Sequence, residues 1–342
     1  MNNLNQNLYN PTFSHIYIEE KAYDYPLTSQ ILSALSKKNP TIIHIEHYKD
    51  IFNRKNQSFH HQKQAPNLIL AVKERNTVYE GAPVCQSFGH EHFYYTSSMM
   101  NCIYDCEYCY LQGMYPSANI VVFVNLSDIQ KEIHRLLQEH PIYLCISYDT
   151  DLLALEPLLG IVHEWIHFLE QEPNLTIELR TKSANLSSIL DTKPNNRFIL
   201  AWTISPDTIA NEFEHRVPSL NARIKNIQNA LTLGYPVRLC FDPMIPINNW
   251  KLQYSELVTT LASYIDFTKI NDISIGVFRI SADYMNRLRK QRPESVVIQY
   301  PYENDHGVFH LNQHRSTEMI QFMKNLLCNY VAEEKIFVWE NV

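Results

Sequence analysis

The chain has 342 residues, of which 45% are hydrophobic and 19% are charged, so it is long enough for one large α/β domain with additions or for two ordinary domains. No apolar run approaches the roughly 18 residues that a membrane span needs, and the N-terminus lacks the basic start and apolar core of an export signal, so we expect a cytoplasmic protein with no membrane partner. The formal net charge of -7 argues against a surface covered with nucleic-acid-binding charge, although a local basic face is compatible with it.

The N-terminal part of the chain predicts a small αβ module. Residues 14–22 and 41–47 have the composition of short strands, and residues 28–38 between them have a helical pattern. A third apolar run covers residues 67–72 and follows a polar loop. We therefore assign residues 1–93 to an N-terminal module.

From residue 94 to about residue 290, strand-like and helix-like runs alternate. Such alternation indicates repeated βαβ units and a parallel sheet. Five or six units are fewer than the eight of a full barrel, so we predict an α/β fold with a partial (β/α)6 barrel of residues 94–290, whose chemistry lies at the C-terminal ends of the strands. Residues 152–172 read as one helix, Ser127 fits a helix N-cap, and Gly234 fits a helix stop. The strand-like runs are residues 119–126, 141–151, 175–183, 197–205, 237–245 and 273–281.

The last part of the chain has a different pattern. Residues 296–311 predict a β-hairpin with its turn at residues 304–307. A helix at residues 316–331 and a short strand at residues 335–340 follow. We assign residues 291–342 to a third unit that carries this hairpin and helix.

Three of the seven cysteines lie within eight positions, in the segment MNCIYDCEYCYLQG at residues 100–113. Thiolates hold iron–sulfur clusters, and spacings of two to four residues let one segment wrap a face of a 4Fe–4S cubane. Ligation by Cys102, Cys106 and Cys109 would leave one iron without a protein ligand. Two other interpretations stay open: three ordinary buried cysteines, or a structural zinc site that includes His90 or His92.

The spacing Cys-x3-Cys-x2-Cys, with an aromatic residue directly before the third cysteine, resembles the motif of the radical SAM enzymes. The resemblance implies a 4Fe–4S cluster on the three cysteines and S-adenosylmethionine (SAM) on the open iron. It also implies reductive cleavage of SAM to a 5′-deoxyadenosyl radical, so that the cofactor carries the difficult chemistry and the protein directs it. The reduction needs a low-potential electron, which predicts a ferredoxin or flavodoxin partner.

The wider pattern resembles the spore photoproduct lyase family, in a clostridial-type branch. The resemblance implies a DNA repair lyase that reverts the spore photoproduct, 5-thyminyl-5,6-dihydrothymine, to two thymines after the radical takes hydrogen from C6. It also implies DNA with a thymine dimer lesion as the substrate, and a location in the spore core and the germinating cell; we further expect a monomer. The segments that carry the resemblance are residues 16–27, 106–113, 123–129, 147–151, 179–183, 203–207, 220–224 and 234–237, together with the hairpin.

Several site residues follow from this resemblance. Tyr108 and Tyr110 flank the third cysteine and would pass a hydrogen atom back toward the cofactor, although ordinary half-buried aromatic packing is the alternative for both. For Asp151, one of the positions that would contact SAM, a salt bridge with a lysine is the alternative. The positions for contacts with SAM are Ser147, Asp151, Lys182 and Thr203.

The repair also needs a thiol that donates hydrogen to the thymine radical, because an S–H bond is weak. Bacillar members of the family place this cysteine where Tyr148 stands in this chain. Cys145 lies three residues earlier, and in an extended strand that offset turns a side chain to the opposite face. Cys85 is the preferred candidate because clostridial-type members place the donor in this upstream segment. Burial as a small apolar residue is the alternative for both cysteines.

Positive charge is concentrated just before the predicted hairpin, and aromatic residues lie on it. The lesion lies inside a duplex, so its two linked thymines have to be extruded into a pocket. Phosphate contacts would anchor the duplex while hairpin residues fill the gap, although a solvated helix face is the alternative for the charged run at residues 287–292. The candidates for DNA contacts are Arg279, Arg289, Lys290, Arg292, Tyr300 and Tyr302.

Two other functions stay open on the sequence alone. A radical SAM enzyme of the same architecture acting on another nucleotide or on a peptide is the first, because the donor cysteine is not assigned. The second belongs to another class: a non-catalytic, zinc-stabilised nucleic-acid-binding protein.

Overall fold

The computed structural model describes residues 13–82 and 85–339, and its strands and helices are numbered in chain order. The strands are β1 (His15–Glu19), β2 (Thr41–Ile45), β3 (Leu68–Ala71), β4 (Val78–Glu80), β5 (Phe93–Thr96), β6 (Met99–Met100), β7 (Asp105–Cys106), β8 (Ile120–Phe123), β9 (Ile142–Cys145), β10 (Leu175–Thr181), β11 (Phe198–Thr203), β12 (Glu214–His215), β13 (Val237–Met244), β14 (Asp272–Val277), β15 (Arg279–Ser281), β16 (Glu303–Asp305), β17 (Val308–His310) and β18 (Ile336–Val338). The α-helices are α1 (Pro26–Leu35), α2 (Lys49–Phe52), α3 (Phe59–Gln64), α4 (Leu111–Met114), α5 (Leu126–Leu137), α6 (Leu152–Leu159), α7 (Ile161–Gln171), α8 (Asp207–Glu212), α9 (Leu220–Leu233), α10 (Trp250–Tyr264), α11 (Ala282–Gln291) and α12 (Gln313–Leu327).

Five strands form the N-terminal sheet, in the order β2-β1-β3-β8-β6. Its neighbouring strands are parallel except for the short β6, which is antiparallel to β8. The strands predicted at residues 14–22, 41–47 and 67–72 and the helix predicted at residues 28–38 are present as β1, β2, β3 and α1. Every residue of β3 and β8 is buried, which explains why both strands read as continuous apolar runs.

The central sheet has the order β18-β14-β13-β11-β10-β9-β5-β4. All neighbouring strands from β5 to β18 are parallel, and β4 pairs antiparallel with β5 at the edge. The predicted α/β fold with a parallel sheet is thus confirmed, and the closure of this sheet into a partial barrel stays a prediction. Large side chains such as Trp165 on α7 and Trp202 on β11 are completely buried in the main hydrophobic core.

The path of the chain around the cysteines differs from the prediction. The strand predicted at residues 119–126 was expected to be part of the parallel barrel, but β8 pairs with β3 in the N-terminal sheet. The chain therefore leaves the central sheet after β5, enters the N-terminal sheet as β6, passes through the cysteines and returns to the N-terminal sheet as β8. A fully buried apolar strand fits either sheet equally well, so local sequence cannot assign it. The cysteine loop consequently lies between the two sheets.

Two helix predictions need correction. The segment at residues 152–172 is not one helix: Gly160 adopts a left-handed conformation with φ +67° and separates α6 from α7, which meet at 96°. Ser127 is not an N-cap, because α5 already begins at Leu126, after Asn125. Gly234 ends α9 with φ +94°, as predicted. Within residues 13–82 and 85–339 no single helix is long and apolar enough to cross a membrane, and the bent pair α6–α7 meets the length and composition criteria only jointly.

The C-terminal hairpin is present but shorter than predicted: its strands cover residues 303–305 and 308–310, and residues 296–302 do not form a strand. β16 and β17 pair antiparallel around His306 and Gly307, whose φ values of +46° and +81° fit the tight two-residue turn of a hairpin. β15 adds to β17, so the hairpin is part of a three-stranded sheet. The following helix, α12, begins at Gln313, three residues before its predicted start, and β18 then joins the central sheet.

Candidate active site

The predicted cluster loop is fixed on two sides. β7, which contains Cys106, pairs antiparallel with β12, and its partner across the pair is Glu214. On the other side, the buried Arg292 bonds Asp105 and also donates from Nε to Gln112 Oε1 at 3.1 Å. These contacts hold the cysteine-bearing segment at the C-terminal ends of the central strands.

The three cysteines of the loop are free thiols, with Cys106 buried and the other two partly buried. Burial raises the pKa of all three thiols, that of Cys106 to about 12, while Lys63 and Lys182 lower these values. Lys182 Nζ lies 3.6 Å from Cys106 Sγ, and the Tyr104 backbone N–H donates to Cys102 Sγ at 3.4 Å. A cluster bound through three thiolates needs such nearby positive charge and N–H donors, so the residues present fit a 4Fe–4S cluster.

The alternative zinc site finds no support in the arrangement of the side chains. No three His, Cys, Asp or Glu residues within 13–82 and 85–339 are grouped so as to hold one metal ion. His90 stacks on Tyr143 at 4.4 Å and His92 stacks on His140 at 3.7 Å, both before β5, whereas the cysteines follow β5. In a cubane each cysteine binds a different iron, so its ligands need not converge on one ion as zinc ligands do.

A buried charge network lies behind Cys106. Glu214, completely buried, pairs with Arg223 and, at 2.9 Å, with Lys182, and the Tyr108 hydroxyl donates to the same carboxylate. Burial alone would raise the pKa of Glu214, but the two cations hold it well below its usual range. Tyr108 therefore belongs to this network, where Lys182 Nζ also donates to its hydroxyl at 2.8 Å. The sequence provided no signal for Glu214, because its partners come from distant segments.

The second predicted tyrosine belongs to a different group of side chains. The Tyr110 hydroxyl donates to the backbone carbonyl of Tyr148 at 2.5 Å, and the two rings lie 6.2 Å apart. The Tyr148 hydroxyl in turn lies 3.6 Å from Cys85 Sγ, and its ring stacks on Tyr95 at 4.3 Å. Cys85 thus contacts Tyr148, and Tyr148 contacts Tyr110. Tyr108 does not belong to this series of contacts.

The other candidate donor, Cys145, is the last residue of β9 and is buried, which raises the pKa of its thiol to about 12. Burial is the largest cause of the raised pKa of Tyr148. The charges of Cys85 and Cys145 raise this pKa further, which indicates that both thiols lie near the Tyr148 side chain. Sheet contacts continue past the end of β9, since the Ile146 N–H donates to the Glu178 carbonyl, so the expected reversal of face between Cys145 and Tyr148 stays a prediction.

The positions predicted to contact SAM gather at the C-terminal ends of β9, β10 and β11. The Asp151 carboxylate accepts the Lys182 backbone N–H and the Thr181 hydroxyl, both at 2.7 Å, and caps α6 through Ala154 N. Burial raises the pKa of Asp151 to about 6. The alternative of a salt bridge with a lysine is not found, since the Lys182 ammonium pairs with Glu214 instead.

The other two positions predicted to contact SAM lie near the ends of β9 and β11. Ser147 Oγ accepts the Arg180 backbone N–H at 2.6 Å, and Thr203 is the last residue of β11. The roles of Ser147, Asp151, Lys182 and Thr203 toward SAM stay predictions.

Three of the six residues predicted to contact DNA pack within the hairpin region and are buried or partly buried. Arg289 donates to the carbonyls of Ile298 and Tyr300 at 3.2 Å each, and its guanidinium lies 4.7 Å from the Phe309 ring. Tyr302 is buried and its ring lies 5.0 Å from that of Tyr300, which is partly buried.

The remaining three candidates differ in exposure. Arg292 is buried against the cluster loop, and Arg279 is partly buried with its guanidinium 5.3 Å from the Trp339 ring. Lys290 is exposed. Exposure, which a phosphate contact requires, thus favours Lys290 among the six candidates; the contacts with DNA themselves stay predictions.

The parallel α/β fold and the cysteine triad at its C-terminal mouth define the class of radical SAM enzymes. The sequence model described as "Spore photoproduct lyase" matches residues 9–318 of this chain. The chain therefore belongs to the spore photoproduct lyase family.

Individual relatives are similar over most of their length. The spore photoproduct lyase of Clostridium acetobutylicum is 24% identical over 292 residues, which cover 83% of each chain, and that of a Geobacillus species is 19% identical over 292 residues, which cover 84% of this chain and 82% of the relative. A solved spore photoproduct lyase variant with bound AdoMet and dinucleoside spore photoproduct has a TM-score of 0.83 at 17% identity, with 98% of this chain and 100% of that chain covered. Another structure of the enzyme with the dinucleoside has a TM-score of 0.81 at 17% identity, over 97% of this chain and 99% of that chain.

Proposed function

We propose that this protein is a radical SAM DNA repair lyase that reverts the spore photoproduct to two thymines. The observation that carries the proposal is the contact of the Cys85 thiol with Tyr148, next to Tyr110 and the cysteine triad, in a chain of the spore photoproduct lyase family. Relatives that have been solved with AdoMet and with the dinucleoside lesion support the choice of substrate.

The cysteine triad would hold the cluster, and the C-terminal ends of β9, β10 and β11 would hold SAM. The bound cluster and SAM together supply the 5′-deoxyadenosyl radical that takes hydrogen from C6 of the lesion. The protein's own contribution around them is electrostatic. Lys63 and Lys182 balance the negative charge of the thiolates, and Glu214 with Arg223 fixes the position of Lys182. The burial of these charges keeps their geometry rigid, because separating the partners would leave an uncompensated charge inside the protein.

After the methylene bridge breaks, the radical left on the product thymine has to gain a hydrogen atom. Cys85 is the donor in our proposal: its S–H bond breaks, a C–H bond forms on the thymine, and a thiyl radical stays on sulfur. The Tyr148 hydroxyl, 3.6 Å away, then donates its hydrogen atom to the thiyl radical and becomes a phenoxyl radical. Tyr110, whose ring lies 6.2 Å from that of Tyr148, would pass a hydrogen atom to it and would regain one from 5′-deoxyadenosine as SAM is regenerated. The predicted transfer through Tyr108 and Tyr110 thus gains an additional hydrogen transfer through Tyr148.

The remaining assignments concern partners and location. The cluster requires a one-electron donor of low potential, for which a ferredoxin or flavodoxin is the natural source. DNA with the lesion is the substrate, and we place the protein, as a monomer, in the cytoplasm of the spore core and germinating cell. Lys290, exposed next to the hairpin, supports a phosphate contact on that side.

Anaerobic purification, reconstitution of the cluster and reaction with dithionite, SAM and a synthetic dinucleotide lesion test this function. Formation of thymidylyl-thymidine together with 5′-deoxyadenosine is the expected result. Cleavage of SAM while the lesion survives would keep the radical SAM assignment and reject this substrate. A protein that binds zinc and never acquires the visible absorbance of an iron–sulfur cluster would reject both.

A further inference from the structure

A cavity of about 490 Å³ lies between the N-terminal sheet and the first strands of the central sheet. Asp149 and Ser97 lie at its buried end, and Tyr79 and Tyr95 form part of its wall. It does not include any of the three cluster cysteines among its lining residues. We propose that this cavity binds one nucleotide, with its base inside and its phosphate at the rim, and that the base presents an N–H group beside a carbonyl, as thymine and guanine do.

The buried end of the cavity has an unused hydrogen-bond acceptor. Asp149 is 6% exposed, and its Oδ2 accepts from Ser97 Oγ. Its Oδ1 is also buried and has no partner at hydrogen-bond distance within the part of the chain that the structure describes. Burial raises the pKa of this carboxylate, although the Tyr115 hydroxyl, which lines the same cavity, lies close enough to lower it in part. A buried carboxylate oxygen without a partner is costly, and a donor from a bound ligand would remove that cost. Because an ionised carboxylate only accepts hydrogen bonds, the ligand has to supply an N–H or O–H group.

The wall of the cavity suits a flat ring. The rings of Tyr79 and Tyr95 lie 5.0 Å apart at an angle of 13°, and Tyr95 stacks in turn on Tyr148, which also lines the cavity. Because other side chains cover the faces of Tyr95, a base would pack against the edges of these rings, which form an apolar wall. Lys73 lines the same space, with its Nζ 4.9 Å from the Tyr79 ring, and can donate to a carbonyl. Acceptor and donor side by side match the N–H and C=O edge of thymine or guanine.

The rim has a different character. Lys49 and Arg75 line the cavity and are exposed, and the exposed Glu74 on the same rim is paired with Lys21, so positive charge lies where a phosphate would remain in water. Tyr148 also connects the cavity with the proposed reaction site, because its hydroxyl contacts Cys85. The nucleotide next to the lesion in the same DNA strand is therefore one source of the base, and a free nucleotide is the other. The choice of DNA rests on the proposed function, whereas the nucleotide site does not.

Equilibrium dialysis tests the site with cluster-loaded protein, without SAM or reductant, and with thymidine 5′-monophosphate as the probe. Replacing the charged acceptor in Asp149→Asn should weaken binding by about tenfold. On the wild-type protein, N3-methylthymidine 5′-monophosphate lacks the N–H donor and should bind about tenfold more weakly as well. This second comparison needs no variant, so it decides the matter even if Asp149→Asn does not fold. Glu156→Gln, a buried carboxylate of α6 outside the cavity, is the matched control and should leave binding unchanged.

Arg75→Ala should lower the affinity for the monophosphate and its salt dependence but not the affinity for thymidine. If the base comes from DNA, a lesion trinucleotide with one additional thymidine should bind more tightly than the lesion dinucleotide, and Asp149→Asn should remove this gain. If it comes from a free nucleotide, the extra thymidine adds nothing although the monophosphate binds.

Equal binding of thymidine 5′-monophosphate and its N3-methyl derivative would overturn the proposal. Repair of the lesion dinucleotide combined with this result would reject the cavity alone. Loss of repair with the expected nucleotide binding would reject the proposed function alone.

Discussion

The Cys85 thiol lies 3.6 Å from the Tyr148 hydroxyl, although the two residues are 63 positions apart in the chain. In our proposal the Cys85 thiol donates hydrogen and the Tyr148 hydroxyl restores it, so the two side chains act together. Because Tyr110 bonds the carbonyl of the same tyrosine, the arrangement leads from Cys85 toward the cluster loop.

The first prediction concerns the identity of the hydrogen donor. Cys85→Ala should reduce the yield of thymidylyl-thymidine by at least about tenfold and divert the product radical to trapped adducts, because no S–H group then faces the lesion. Cys145→Ala, the matched control, removes a buried thiol from the end of β9 and should retain most of the repair. Chromatography of the products measures both yields. The opposite pattern would make Cys145 the donor.

A second prediction concerns the Tyr148 hydroxyl. Tyr148→Phe keeps the ring that stacks on Tyr95 and the carbonyl that accepts from Tyr110, but it removes the contact with Cys85. The first turnover should remain, whereas more SAM should be consumed for each repaired lesion, because the thiyl radical is no longer reduced through this path. Tyr95→Phe is the control, since its hydroxyl is not the one that contacts Cys85. An unchanged ratio of 5′-deoxyadenosine to product in Tyr148→Phe would contradict the relay.

The third prediction concerns the stability provided by Glu214. Glu214→Gln leaves the buried Arg223 and the adjacent Lys182 without their counter-charge, and the free energy of unfolding should fall by about 3–5 kcal/mol. Urea unfolding under anaerobic conditions measures this change. Glu132→Gln removes an exposed i,i+3 pair with Arg135 on α5 and should have a much smaller effect, because solvent screens such a pair. An equal decrease in the free energy of unfolding of both variants would contradict a larger contribution of the buried network to stability.

A fourth prediction concerns Lys73, whose pKa burial lowers to about 8. Between this value and the usual value of about 10.5, the unfolded chain binds more protons than the folded protein, so stability due to this group rises with pH. Below pH 8, by contrast, the buried charge carries its full cost. The stability of wild type relative to Lys73→Met should therefore increase by about 3 kcal/mol as the pH rises from about 7 to above 10. Denaturant unfolding of both proteins across this range measures the difference, and a constant difference would contradict the lowered pKa.

The fifth prediction separates two neighbouring cations. Lys290 is exposed, so Lys290→Ala should weaken binding to lesion-free duplex DNA and reduce the slope of log affinity against log salt by about one. Arg292 is buried against Asp105 and Gln112, so Arg292→Ala should instead lower the iron content of the reconstituted protein. Binding titrations at several salt concentrations and iron analysis distinguish the two roles. Loss of iron in Lys290→Ala would contradict this division.

Local features of the molecule were predictable where local chemistry alone determines them. The spacing of Cys102, Cys106 and Cys109 favours a cluster loop, and the alternation of strand and helix patterns indicates the parallel sheet. The φ values of His306 and Gly307 follow from a sequence that favours a tight hairpin turn. Each of these features depends on residues a few positions apart, so the pattern itself contains the physical cause.

Only the tertiary structure decided which distant groups meet. β8 could belong to either sheet, because a run of four buried apolar residues packs equally well in both. Likewise, the charge on Arg292 predicted a surface contact, but pairing with Asp105 stabilises it inside the protein. The Cys85–Tyr148 contact and the Glu214 network join residues from separate segments, and their energies depend on distances and burial that no local pattern encodes. The sequence by itself therefore determined the kind of chemistry, and the folded structure decided which side chains surround it, because burial sets the strength of every charge and hydrogen bond in the site.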